Sequence, residues 1–208
     1  MSVLVYIEQA EGKIKKTSLE AVSFASALAA KTGEGDVIAV ALGSVDQAEL
    51  ASVGKAGATK VLHASDSRLD AGVIQAHATA VAQAFEKTGS KTVVLAKSSL
   101  GDAVAARLAI KVNAGLVSNV VELPNTDSGY IVKRSIYTGK AFAETSLTTE
   151  NKILAIKKNA IDLKTDGADA AVESLEVNIP DSDFGSKITA TERATGEVLL
   201  PEADIVVS

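Results

Sequence analysis

Few residues of this chain have the types and spacing that catalysis requires. None of the 208 residues is cysteine, which excludes disulfides, thiolate zinc sites, cysteine-ligated iron–sulfur clusters and a cysteine nucleophile. The histidines are His63 and His77. His77 falls at helical spacing with apolar residues, which predicts a core or boundary position. No nucleophile pattern accompanies His63, so the sequence does not identify it as a general base. Asp66 and Asp70 are typical of turns and caps. The sequence therefore predicts no catalytic set and no enzyme activity of its own.

A second candidate is the six-residue loop 97–102, which joins a predicted strand to a predicted helix. Open α/β sheets bind ligands at such places, because helix N-terminal amides attract phosphate. Ser98 or Ser99 can equally cap the helix while Gly101 permits the turn. Capping is favoured, because one glycine is no phosphate-binding pattern and neither G-x-G-x-x-G nor a Walker loop occurs. An independent adenine-nucleotide-binding domain that uses this loop is the alternative function.

The segment 134–141 is the most informative stretch. Strand alternation would place Arg134 and Ile136 on one face and Ser135 and Tyr137 on the other. A turn at Gly139 and a second strand would follow. The purely structural interpretation is a hairpin in which Arg134 forms an ion pair.

The first hundred residues alternate strand and helix, and these elements would position the candidate residues. Thr17 and Glu20 have capping-box spacing at the start of the first helix, and Gly33 is placed to end it. This order of units indicates right-handed crossovers and a parallel sheet. The predicted strands are 3–7, 36–42, 60–63 and 92–96, and the predicted helices are 17–31, 45–51, 69–87 and 103–112.

Beyond Leu116 the pattern changes to strand-like runs with no room for crossover helices. The runs are 117–123, 130–137, 141–147 and 152–157. Residues 130–147 predict a hairpin, and the polar stretch 162–171 predicts a loop. We therefore expect a three-layer α/β/α fold with a mainly parallel sheet and a small antiparallel element.

Composition agrees with that fold and narrows the partners. The chain is 47% hydrophobic but only 3% aromatic, which favours parallel strands covered by Ala-rich helices. Its net charge of −5 comes from mixed acidic and basic residues, so attraction to nucleic acid or to an anionic membrane is not expected. No stretch has the pattern of a secretory signal or a membrane helix, and we expect a cytoplasmic bacterial protein.

The motif Arg-x-Ile-Tyr-x-Gly-x-Ala, here Arg134 to Ala141, resembles the middle of electron-transfer flavoprotein α subunits. Further segments resemble that family in the same order, so the likeness spans nearly the whole chain. The family more often has aspartate where Asn119 stands. The further segments are 4–8 with Gly12 and Lys13, 57–62, 101–102 with 107–109, and 118–120.

This resemblance implies a domain with the fold of adenine-nucleotide hydrolases that is not itself a nucleotide site. It also implies a heterodimer with a β subunit, an FAD cofactor, and electron transfer from acyl-CoA dehydrogenases of fatty acid β-oxidation to a membrane quinone oxidoreductase. The present segment would be the scaffold that docks the β subunit. Arg134, Tyr137 and Gly139 are the residues expected to position that docking surface.

The resemblance also predicts how the chain is divided. In the family a Gly-Gly-Arg-Gly motif follows the strand that corresponds to residues 203–208, and it opens a smaller domain with most of the FAD contacts. We therefore expect residues 1–192 to form the N-terminal α/β domain. Residues 193–208 would be a connector and the first strand of an FAD-binding domain that this chain lacks.

The position of the family's FAD site follows from the same division. It would lie beyond Ser208, the last residue of the sequence. The resemblance therefore assigns no FAD-binding residue to any position of this chain. No flavin bound to this segment alone is expected, and no metal ligand is predicted.

Overall fold

A nine-stranded sheet organises the computed structural model of the chain, which describes residues 2–190. The architecture is α/β with a large, mostly parallel sheet and a separate two-stranded antiparallel sheet, which confirms the predicted fold class. The strands are β1 (Val3–Ile7), β2 (Gln9–Ala10), β3 (Lys13–Ile14), β4 (Val37–Leu42), β5 (Lys60–Ala64), β6 (Thr92–Ala96), β7 (Ala114–Val120), β8 (Ile131–Ile136), β9 (Ala141–Ser146), β10 (Asn151–Ile156) and β11 (Ala171–Ser174). The helices are α1 (Lys16–Thr32), α2 (Gln47–Ser52), α3 (Ile74–Thr88) and α4 (Ser99–Lys111).

The large sheet has the order β11-β5-β4-β1-β6-β10-β7-β8-β9. All neighbours from β11 to β7 are parallel, whereas β8 and β9 are antiparallel to their neighbours. β10 was expected in the antiparallel element, and this expectation is wrong. It lies between β6 and β7, parallel to both, because Ile153, Leu154 and Ala155 are completely buried and need cover on both faces of the sheet.

Helices cover both faces of the sheet and make the predicted three layers. Along β1, Val3 and Val5 belong to the core under α1, while Leu4 and Tyr6 belong to the core under α3 and α4. All four are at most 1% exposed. Because the side chains of a strand alternate between faces, an all-apolar strand of this kind must be central. Within residues 2–190, no helix has the length and apolarity needed to cross a membrane.

The start of α1 differs from its prediction. The helix begins at Lys16, and no side chain caps its first turn. The predicted capping box is wrong because its glutamate has a distant partner: Glu20 Oε2 accepts a hydrogen bond from the Asn159 amide at 2.9 Å. The end of the helix is as expected, with Gly33 at φ 72° in the left-handed region.

The chain returns across the molecule after β10 to pair β11 with β5 at the far edge of the sheet. Residues 163–170 have neither helix nor strand, as expected of a loop, but they are held by backbone hydrogen bonds. Gly167 N donates to Lys55 O at 3.1 Å, and Ala170 N donates to Ala51 O at 2.8 Å. A Cβ on Gly54 would overlap the backbone of residues 168–170. The close packing of the backbone at residues 168–170 against Gly54 therefore holds this returning segment in place.

The predictions for the last part of the chain lie outside the described residues. They are the domain boundary at residue 192, the connector 193–208 and the strand 203–208 that ends at Ser208. The division into domains, and with it the placement of the family's FAD site beyond Ser208, stays a prediction.

The substitution Gly54→Ala should lower the free energy of unfolding by about 1–3 kcal/mol, the usual cost of overpacking a rigid site. It should also speed hydrogen exchange at the Gly167 and Ala170 amides, because the added methyl group meets backbone. Urea denaturation and amide exchange measure both effects. The control is Lys55→Ala at the adjacent exposed position, which should change stability by less than about 0.5 kcal/mol. Equal stability of the two variants would contradict the packing described here.

Candidate functional site

The turn between β8 and β9 has an unusual backbone. The two strands pair up to Ile136 and Ala141, and the next three residues, Tyr137, Thr138 and Gly139, have φ angles of 49°, 57° and 90°. Glycine adopts such angles freely, but a β-branched threonine does so only at a cost of about 1–3 kcal/mol. Strained turns of this kind concentrate at binding sites and switch regions. The surface around this turn is therefore a candidate binding site.

The side chain of Tyr137 does not follow the predicted alternation. Ser135 is buried at 5% exposed, whereas Tyr137 is 77% exposed. The prediction that they share a strand face is wrong because regular strand geometry ends at Ile136, and the left-handed turn then directs Tyr137 into solvent.

A cavity of about 490 Å³ lies beside this turn. It brings together all three residues that the sequence singled out and adds two residues from outside the hairpin, Asn119 in the last part of β7 and Lys157 directly after β10. The carboxyl ends of two parallel strands thus meet the tip of the hairpin, which is where open α/β sheets place their ligands. The lining residues are Asn119, Arg134, Ser135, Ile136, Tyr137, Thr138, Gly139 and Lys157.

The cavity is cationic. Among residues 2–190, no carboxylate forms an ion pair with Arg134 or Lys157, and Arg134 Nε is buried with no hydrogen-bond acceptor. The adjacent Lys133 does have a partner, Glu122, at 3.3 Å. The structural ion pair expected for Arg134 is therefore not formed by the described part of the chain. The lining of the cavity thus combines a guanidinium and an ammonium with no carboxylate, and these charges favour an anion.

Sequence reasoning missed Lys157 and Asn119. Lys157 directly follows a buried apolar run, and this position at the carboxyl end of a central strand could have marked it as a candidate site residue. Asn119 has φ 62°, a conformation that asparagine tolerates better than most residues. Neither signal shows by itself that β10 inserts next to β7 and so places both residues at the hairpin tip.

The loop 97–102 has the role of a helix cap. Ser98 Oγ accepts a hydrogen bond from the Gly101 amide at 2.7 Å and donates one to the carboxylate of Glu8. Lys97 pairs with Asp102 at 2.8 Å. Capping, the favoured interpretation of this loop, is confirmed.

Glu8 fills the crevice in which a nucleotide would be expected. It follows β1 and lies opposite the end of β6, where the strand order reverses. Its side chain is 3% exposed and is paired with Lys15 Nζ at 2.7 Å. A phosphate bound here would be repelled by the carboxylate of Glu8. The backbone at Gly101 also packs closely against the end of β6, since a side chain at this position would overlap Ala96 O. The described residues at this crevice therefore suit neither a phosphate nor a dinucleotide.

His77 is a core residue, as expected, with 5% of its surface exposed. Its Nε2 lies 2.8 Å from Leu69 O, which can only accept, so Nε2 bears the hydrogen. The Tyr6 hydroxyl, 2.7 Å away, then donates to Nδ1. Burial lowers the pKa of His77, while the hydrogen bond to Leu69 opposes that shift. Both nitrogens are used in structural hydrogen bonds, so His77 is no free base.

The remaining polar candidates fix loops. His63 Nε2 lies 2.7 Å from Gly43 O and donates to it. Asp66 caps a short 3-10 turn, and Asp70 accepts from the Ser44 amide at 2.6 Å, so the prediction of turn and cap roles is confirmed. Over residues 2–190, no cluster of three or more His, Cys, Asp or Glu side chains is arranged to hold a metal ion.

Comparison of the sequence with known proteins places the chain in a family. Residues 3–180 match the model of the electron transfer flavoprotein domain. The chain is 27% identical over 209 residues to an electron transfer flavoprotein subunit alpha of Bacillus subtilis, with 99% of the chain and 63% of that protein covered. The subunit alpha of Mycobacterium leprae is 26% identical over 208 residues, with the same coverage, and that of Mycobacterium tuberculosis is 28% identical over 178 residues, which are 86% of the chain and 53% of that protein. The chain thus spans less than two thirds of the length of these relatives.

The lowered pKa of His77 predicts a pH dependence of stability. Unfolded, the imidazole binds a proton near its ordinary pKa of 6.5, whereas the folded protein binds it only at lower pH. The stabilisation is therefore complete above that value and is lost as pH falls through the folded pKa, at up to about 1.4 kcal/mol per pH unit. Urea denaturation between pH 7.5 and 5.5 should show a steeper loss in wild type than in His77→Gln. Parallel curves would contradict the buried neutral imidazole.

Proposed function

Because the chain belongs to the electron transfer flavoprotein family, we propose that it acts as the α subunit of a heterodimeric electron carrier. In this proposal the heterodimer receives electrons from acyl-CoA dehydrogenases or other dehydrogenases and delivers them to a quinone oxidoreductase. Residues 2–190 serve as the scaffold that docks the β subunit. The observation that carries the proposal is the family match over residues 3–180, which includes the whole of the exposed hairpin.

The surface of the hairpin supports a docking role. Tyr137 is 77% exposed and Phe142 is 59% exposed, and both lie on the same hairpin at one end of the sheet order. Exposed aromatic side chains are enriched at the centres of protein interfaces, where they contribute most of the binding energy. β9 is paired only with β8 in the described sheet, and its free edge offers backbone donors and acceptors to a partner.

The cofactor of the proposed heterodimer is FAD, which supplies one- and two-electron transfer when bound. The described residues do not fit the cofactor at the crevice where such a sheet would hold it. Glu8 fills that crevice and opposes the charge of a pyrophosphate. We therefore assign no step of electron transfer to a side chain of residues 2–190. Their contribution is to hold a rigid surface against the partner.

The alternative function, an independent adenine-nucleotide-binding domain, depends on the loop 97–102. The cap formed by Ser98 and the carboxylate of Glu8 count against it, and no contact among the described residues favours it.

Replacing both exposed aromatic residues of the hairpin, Tyr137→Ala with Phe142→Ala, should weaken binding of the β subunit. Loss of two interface anchors of this kind typically costs more than about tenfold in affinity. Calorimetry of the purified chain with its β subunit measures the change, and circular dichroism checks folding. The control is Ile110→Ala on α4, which removes a side chain that is 85% exposed on a helix away from the hairpin.

Wild-type affinity in the hairpin variant would reject the docking surface. An equal loss in the Ile110 control would show that exposed apolar residues act without regard to position, which would also contradict the proposal.

Flavin content gives a second prediction. The 208-residue chain purified alone should show no stoichiometric absorbance near about 450 nm, the usual flavin band, because residues 2–190 present no fitting site. A heterodimer whose α subunit also contains the predicted FAD-binding domain should show it. A chain that carries one flavin by itself would overturn the assignment of a scaffold role.

A further inference from the structure

We propose that the cationic cavity at the hairpin tip receives a carboxylate side chain of the docking partner. Arg134 and Lys157 would pair with this carboxylate, and the Asn119 side-chain amide would donate to it. This inference rests on the proposed function, and it adds the chemistry by which the docking surface recognises its partner.

The charges that line the cavity favour an anion. Arg134 Nε is buried without an acceptor, and within residues 2–190 no carboxylate pairs with Arg134 or Lys157. Other basic side chains of the chain do find partners, such as Lys133 with Glu122 at 3.3 Å and Lys97 with Asp102 at 2.8 Å. Because the cavity is lined by these two cations and by no carboxylate, an incoming carboxylate would gain charge-assisted hydrogen bonds there.

The sheet holds the three residues in fixed positions, because Asn119 lies on β7, Arg134 lies on β8 and Lys157 directly follows β10. Arg134 is anchored on β8 beside the buried Ser135, and the Lys157 amide donates to Val120 O at 2.8 Å. A site whose members sit on rigid strands is preorganised, so binding costs little further ordering of the backbone.

The anion that suits this cavity is a carboxylate. A planar guanidinium matches the two oxygens of a carboxylate and binds it in a bidentate manner, with the ammonium as a second charge. The cavity adjoins Tyr137, the exposed aromatic residue of the proposed docking surface. An acidic side chain on the partner would thus enter as the aromatic residues make contact. Since the chain has a net charge of −5, this local cationic site would also orient an acidic partner toward the hairpin.

The first test uses the heterodimer. Arg134→Gln and Lys157→Gln should each weaken binding about tenfold or more and reduce its salt dependence, because each removes a charge from the paired cluster. Lys140→Gln is the control: it removes the same charge from the exposed end of the same turn but does not line the cavity.

A heterodimer whose affinity and salt dependence respond equally to Lys140→Gln and to the cavity variants would overturn the inference while leaving the proposed function intact. If wild type binds no β subunit at all, the proposed function fails instead, and the second test decides the cavity independently.

The second test follows the Nε–H signals of arginine by nitrogen-15 NMR in the isolated chain. Acetate, the smallest carboxylate probe, is added against chloride at constant ionic strength. The Arg134 signal should move with acetate, and Lys157→Gln should reduce that movement. Arg68 is the internal reference, because its Nε already donates to Asp66 at 3.0 Å. An Arg134 signal that responds to acetate no more than Arg68 does would overturn the inference.

Discussion

Burial of β1 on both faces is the constraint on which the rest of the structure depends. Val3, Leu4 and Val5 have no exposed surface, and neither face of this strand can meet water. Helices must therefore cover both sides, which makes the sheet parallel and directs its carboxyl ends to one edge. The capped crevice at Glu8 lies at the end of β1, and the cationic cavity lies at the ends of β7 and β10.

The parts of the fold with strong local patterns were predictable from sequence. Apolar runs and helical spacing identified the first parallel strands and the helices that follow them, and glycine in the left-handed region ended α1 at Gly33. The misassigned parts depend on distant contacts. Glu20 bonds to an amide 139 residues away instead of capping its own helix, and the β8–β9 hairpin connects the parallel strands β7 and β10 in place of a crossover helix. No local pattern records either contact.

The site shows the same division. Arg134, Tyr137 and Gly139 are close together in the sequence, at the end of β8 and in the turn after it, so a motif could identify them together. Their final environment was not predictable, since the expected ion pair of Arg134 is replaced by a cavity whose other residues come from β7 and from the end of β10. The direction of Tyr137 also depended on a left-handed turn that strand alternation does not anticipate. The candidate site therefore depends on how the strands are ordered, together with the residues that they bring to one edge.

We propose that the β8–β9 hairpin is the surface that meets the partner. Amide hydrogen exchange of the chain, measured free and in complex with the β subunit, tests it most directly. We expect slower exchange in the complex for residues 131–146, which include the free edge of β9, and little change along α4. Protection concentrated on the helical faces, with the hairpin unchanged, would contradict the account.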